Sequence, residues 1–304
     1  MSRRSLVIRH VTIYRYSEPV GFGEHRMMFR PRESHDLRIL RTELDITPKP
    51  SGLVWLHDVF DNSVAVASFD KRADELRFES TVTIEHIETS SPNYVLAPYA
   101  KAYPFAYSDD DELPNLGEAL RRRHPCEEAD AWIRQFLDDD GTADTMELLK
   151  NITQSFRDQF EYERRTEKGV QTPRETLARK RGSCRDYALL MIEGARSLGL
   201  AARFVSGYIF MPGNDNTIGG GATHAWLQIY LPGAGWIDFD PTNSIIGNRN
   251  LIRVAVTWDP AQALPLWGSF IGFAASFLGM DVTVDVSEED RDRRRDDATS
   301  ALNH

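Results

Sequence analysis

The sequence predicts an α+β protein: an N-terminal β-sandwich, then a core in which one buried helix packs on an antiparallel sheet. Three observations carry this. The first 90 residues hold about six strand patterns and no convincing helix. Residues 128–198 switch to helical periodicity. Strand patterns then return at 202–210, 224–230, 236–240 and 251–257. Strands and helices grouped in runs, rather than strictly alternating, give this class.

Taken in order, residues 5–16 alternate around Val7, Val11 and Ile13, and Pro19, Gly21 and Gly23 are expected to break the strand. Met27 to Phe29 forms a short apolar strand stopped at Pro31. Strands are expected at 37–46, 54–60, 64–69 and 76–87, with a hairpin turn at Asp61-Asn62, since both residues tolerate positive φ. Short strands separated by turn residues suggest the sandwich, over 1–92. Residues 93–125 read as a linker, rich in Pro, Tyr and Ala and carrying the acidic run 109–111. A catalytic core is expected over 126–286 and a disordered charged tail over 287–304.

Within the core, helices are expected at 128–137 and 145–160, the second with Leu148, Leu149, Ile152 and Phe156 as its apolar stripe. Thr172-Pro173 with Glu175 opens another. The central helix runs from Cys184 to Leu198, with Gly199 as its stop. Its face of Tyr187, Leu190, Met191 and Gly194 must be buried on a sheet. Pro232 to Gly235 closes a hairpin between the strands that begin at His224 and end at Asp240.

Composition narrows the function. The chain has 304 residues, two cysteines and a net charge of −10. Two cysteines make no disulfide scaffold, and an acidic chain is a poor match for nucleic acid. No stretch reaches the ~18 consecutive apolar residues of a membrane helix, and the first ten residues lack an apolar signal region. The expectation is a cytoplasmic protein with no membrane and no nucleic-acid partner; the oligomeric state is not readable. There is no HExxH, no paired CxxC and no acidic calcium loop, so no metal and no cofactor are expected.

Three points carry chemistry. Cys184 stands at the first turn of the central helix. Unpaired backbone N–H groups and the helix dipole favour thiolate there, and the same N–H groups can stabilise an oxyanion. Most free cysteines are inert and buried, and Cys126, in polar sequence after His124-Pro125, is read that way. His224 opens a strand and can pair with the sulfur, then protonate a leaving amine. The other seven histidines read as structural. Asp240 is placed to accept the second imidazole N–H across the hairpin and fix the tautomer. Alone, it would read as a turn residue before Pro241. Asp186 reads as a helix cap or ion-pair acceptor. Trp226 and Trp236 read as core or cleft walls, and residues 213–221 as a lid or a plain connection.

Gly182-Ser183-Cys184-Arg185-Asp186-Tyr187-Ala188, Gly199 to Tyr208, His224-Ala225-Trp226 and Gly235 to Asn243 together resemble the transglutaminase-like superfamily. They are most similar to its bacterial branch described as cysteine proteases. The resemblance extends through Phe160-Glu161-Tyr162, Thr172-Pro173 and Ile252 to Val256, and the first ~90 residues are similar to that branch's N-terminal β domain. Thr257-Trp258-Asp259 departs from the usual Gly-Arg-Asp, and Asp61 stands where Gly is usual. The resemblance implies a papain-like core with Cys184 as nucleophile, His224 as base and acid, and Asp240 as orienter. The expected activity is acyl transfer through a thioester on Cys184, with a peptide or protein amide as substrate. Hydrolysis is the first choice and glutamine transamidation the second. A non-catalytic binding module and a zinc site on Cys184, His224 and Asp240 are the remaining alternatives. No side-chain oxyanion donor is identified; the Cys184 backbone N–H is the one nomination.

Overall fold

The computed structural model describes residues 2–88, 94–108, 112–165, 169–212, 218 and 220–289. The expected acidic run at 109–111, most of the candidate lid and nearly all of the charged tail lie outside the described residues.

The N-terminal half is built on one long strand. β1 (Ser2–Met27) runs straight through Pro19, Gly21 and Gly23, where a break was expected. Its register slips between Arg15 and Val20 against one neighbour and between Phe22 and His25 against another. These irregularities bend the strand instead of ending it. β2 (Leu37–Thr47), β3 (Gly52–His57), β4 (Ser63–Ser68) and β5 (Ala73–Glu88) complete the order β2-β5-β1-β4-β3. The first part of β1 pairs with β5 and the last part with β4, so one sheet curls over itself. Tyr16, Phe22, Met27, Ala67, Leu76 and Phe78 fill the space between its two layers. The sandwich is thus a single folded sheet. A cavity of about 180 Å³ lies within this sheet, lined by residues such as Phe29, Leu44, Trp55 and Val82.

The segment expected as a linker is integrated into the core. β6 (Ala102–Tyr103) pairs with β7 (Ala143–Asp144), and α1 (Leu113–Leu120) buries Leu116 and Ala119. The Tyr107 hydroxyl donates to Tyr230 O at 2.9 Å and accepts from Ala201 N at 2.9 Å. Arg196 Nε donates to Ala119 O at 3.0 Å. These ties run through backbone groups, so they leave no periodicity in the segment.

α2 (Glu127–Arg134) and α3 (Thr145–Gln159) follow. Asp144 caps α3 by accepting from Met146 N and Glu147 N at 3.0 Å, and the predicted stripe of Leu148, Leu149, Ile152 and Phe156 is buried. Each such apolar side chain stabilises the fold by about 1.5–3 kcal/mol. β8 (Glu161–Tyr162) leads to α4 (Pro173–Arg179), which opens with a full capping box between Thr172 and Glu175. β9 (Arg181–Gly182) runs parallel to β8 and delivers the chain into α5 (Cys184–Ser197).

α5 is buried nearly all round, not on one face as expected. β10 (Ala202–Ile209) and β11 (His224–Leu231) cover one side, and α2, α3 and α4 the other. The core sheet continues with β12 (Gly235–Asp240), β13 (Ile245–Ile246) and β14 (Leu251–Thr257), in the antiparallel order β13-β12-β11-β10-β14.

The chain then returns to the first sheet. β15 (Leu266–Ile271) pairs with Gly21–Met27, and β16 (Phe277–Glu288) pairs with Leu6–Tyr16. Residues 266–286, assigned by sequence to the core, therefore belong to the N-terminal sheet. Ser287 and Glu288, assigned to the tail, pair with Val7 and Leu6. The physical reason is the alternation of Val282, Val284 and Val286, which suits a strand laid along β1. One apolar cluster joins Leu6, Ile8, Val82 and Ile84 of this sheet to Tyr208, Phe210 and Ile252 of the core. Arg253 clamps the same boundary, donating to Asp36 at 2.6 Å and to Asp238 at 3.1 Å. Among the described residues, no helix is long and apolar enough to cross a membrane.

Candidate active site

Cys184 is the first residue of α5, and the turn before it is held rigidly. Asp186, fully buried, accepts from Ser183 N at 2.8 Å and Ser183 Oγ at 2.9 Å. It also accepts from Gln171 N at 2.7 Å and Arg165 Nη1 at 2.9 Å. Both readings offered for Asp186, cap and ion-pair acceptor, describe it. One carboxylate thus ties the start of the helix to Arg165 and Gln171. The N-terminal N–H groups of α5 remain at the start of the helix beside Cys184, a residue that is 7% exposed.

His224 and Asp240 come from adjacent strands. Leu227 pairs with Phe239, so two-residue alternation puts His224 and Asp240 on one face of the sheet. His224 Nε2 lies 2.8 Å from Asp240 Oδ2, and both side chains are fully buried. Trp226 stacks below the imidazole at a centroid distance of 5.9 Å. It is wholly buried and donates to Asp238 at 2.7 Å, so it is core and not a cleft wall. Trp236 lies under the Arg203 guanidinium at 3.9 Å. Gly207, paired with His224, allows this packing. A Cβ there would stand 2.1 Å from Ile252 O and 2.8 Å from Trp226.

Burial alone would lower the His224 pKa. The Asp240 carboxylate outweighs it, with help from Cys184, and pushes the value up to about 10. The ring is therefore an imidazolium at neutral pH. Asp240 holds Nε2, so Nδ1 is the nitrogen left to serve the sulfur. Nδ1 is buried and has no hydrogen-bond partner among the described residues. Of the three residues singled out from the sequence, His224 and Asp240 are in direct contact, and Cys184 acts on the same ring. Cys126 lies apart, its thiol donating to Glu128 at 3.2 Å. Among the described residues, no group of three or more His, Cys, Asp or Glu side chains could hold a metal ion.

Two neighbours were given no role by sequence reasoning. Asn243 Nδ2 donates to Asp240 Oδ2 at 2.8 Å and to Ile218 O at 3.0 Å, and its Oδ1 accepts from Ile218 N at 2.7 Å. It ties Ile218 to the carboxylate. Its signal was its place in the Phe239–Asn243 motif. Tyr162 is the other. Burial, then the charge of Cys184, raises its phenol to about 12, with Asp240 and Asp186 adding to the effect. Its signal was the Phe160–Tyr162 match.

Comparison with known proteins agrees with this architecture. Residues 6–85 match the bacterial transglutaminase-like N-terminal region, and residues 133–241 match the transglutaminase-like superfamily core. An uncharacterized protein of Mycobacterium tuberculosis is 29% identical over 294 residues, covering 92% of this chain and 91% of that one. An uncharacterized protein of Mycobacterium leprae is 36% identical over 116 residues, covering 37% of this chain and 40% of that one. The solved structure of a candidate cysteine protease from Cytophaga hutchinsonii superposes with a TM-score of 0.68 at 18% identity, covering 95% of this chain and 92% of that one. That likeness spans the curled N-terminal sheet and the papain-like core alike. With the N-terminal region and the core matched in order along it, the chain belongs to the transglutaminase-like superfamily.

Proposed function

We propose that this protein is a cysteine-nucleophile acyl-transfer enzyme that hydrolyses a peptide or amide bond through a thioester on Cys184. The observation that carries this is the buried His224–Asp240 pair, 2.8 Å apart, set beside a sulfur at a helix start. The Cys184 sulfur attacks the carbonyl carbon, and the carbonyl π pair moves onto oxygen. The Cys184 N–H at the start of α5 stabilises that oxyanion. Collapse breaks the carbon–nitrogen bond, and the leaving amine takes the His224 proton. Water then attacks the thioester, returning a proton to His224 and releasing the acid and the thiolate. Asp240 keeps the ring oriented throughout and stabilises its charged form before acylation and after deacylation.

Transamidation shares the acylation half, and only the acceptor differs. The test uses p-nitrophenyl acetate with and without a primary amine. The proposal expects a burst of nitrophenol, an acetyl group on Cys184 and acetate as the product. None of these should form with Cys184→Ala. An acetylated amine as the main product would replace hydrolase with transamidase. No acylation of native protein would leave a binding module.

A further inference from the structure

The backbone register sets Tyr162 beside the stretch of chain that leads into Cys184. Tyr162 on β8 stands opposite Gly182 on β9, and Glu163 N donates to Gly182 O at 2.9 Å. Cys184 follows Gly182 by two residues. The strand pair therefore fixes the tyrosine to the same stretch of backbone that carries the nucleophile. Gly182 is closely packed, since a Cβ there would meet Asp186 at 3.0 Å and the Tyr187 ring at 3.2 Å. The Tyr162 ring is half-buried against the apolar core, and its hydroxyl lies within the fields of both Cys184 and Asp240. That hydroxyl makes no hydrogen bond among the described residues.

A neutral phenol with a free O–H is a donor in want of an acceptor. The sulfur already has the His224 ring as its neighbour. For the carbonyl oxygen of an acyl group on the sulfur, the donor assigned so far among the described residues is the backbone N–H of Cys184. A second donor would have to stand about 3 Å from the position that the oxyanion takes.

We propose that Tyr162 is the side-chain oxyanion donor of this site, acting beside the Cys184 N–H. This rests on the acyl-transfer reading above. The phenol O–H donates to the carbonyl oxygen as negative charge gathers there and releases it when the tetrahedral intermediate collapses. No proton leaves Tyr162 at any step.

The test compares two reactions of one sulfur in native protein and Tyr162→Phe. Acylation by p-nitrophenyl acetate passes through an oxyanion. Alkylation by iodoacetamide displaces iodide and builds none. The expected result is an acylation rate about 10²-fold lower in the variant, with alkylation of Cys184 unchanged within about threefold. A matching urea midpoint for the two proteins removes unfolding from the comparison. If native protein is acylated and the variant keeps its rate, the Tyr162 assignment alone is overturned. Equal losses in both reactions would mean that the phenol serves the sulfur, which also overturns it. Native protein that is never acylated overturns the enzymatic reading and this assignment together.

Discussion

Asp240→Asn removes the charge that holds His224 protonated while keeping the side chain's shape. In the unfolded chain the ring titrates near 6.5, and in the fold near 10. A raised folded value stabilises the protein fully below the unfolded pKa and loses that effect as pH rises through the folded one. From the two values, linkage gives about 5 kcal/mol well below pH 6.5, about 4 kcal/mol at pH 7 and about 1 kcal/mol at pH 9.5. In the variant, burial is unopposed and the ring is neutral at pH 7. The Oδ1 bonds from Thr242 N and Asn243 N, at 2.9 and 3.4 Å, can be kept by the asparagine carbonyl. The expected cost is therefore about 4 kcal/mol near pH 7, shrinking toward 1 by pH 9.5. Urea unfolding of both proteins across that range measures it. Acylation of Cys184 near pH 7 should fall by about 10²–10⁴ in the same variant. A stability gap that stays constant or widens as pH rises would refute the reasoning, because Asp240 would then not be what charges the ring.

Asp186→Ala strips the Arg165 guanidinium of a buried carboxylate partner and frees Ser183 N. It should destabilise by about 3–5 kcal/mol and open the 165–171 segment to limited proteolysis in native buffer. Unchanged stability would mean that other groups hold the helix start. Gly207→Ala forces a methyl onto the Ile252 carbonyl and the Trp226 ring, neither of which is a flexible chain end. A loss of about 4 kcal/mol in urea unfolding is expected, and a loss below about 1 would show that β14 yields.

What the sequence discloses depends on how local the cause is. The capping box at Thr172, the stripe of α3 and the αL stop at Gly199 act within a turn of chain, and each is readable. Cys184, His224 and Asp240 each sit at an element boundary inside a dense motif, so they could be picked out far apart in sequence. β15 and β16 were missed because their partner strand lies far back along the chain, Met27 against Leu266 at the nearest and Leu6 against Glu288 at the farthest. The period-two pattern of Val282, Val284 and Val286 was there to be seen. β1 was cut at Pro19 because propensity rules do not foresee a bulge that absorbs a proline. The 93–125 segment passed for a linker because carbonyls and the hydroxyls of Tyr103 and Tyr107 anchor it. Asn243 and Tyr162 act through single polar atoms on a turn and a two-residue strand, where no periodicity exists to reveal them.

The central claim is that the sulfur, imidazole and carboxylate work as one unit on an acyl group. Its most direct test is peptide mapping of protein mixed briefly with p-nitrophenyl acetate and quenched in acid. The account predicts one acetyl thioester on the Cys184 peptide, none on the Cys126 peptide, and none anywhere in His224→Ala. Acetyl spread equally over both cysteines, or undiminished on Cys184 without His224, would contradict it.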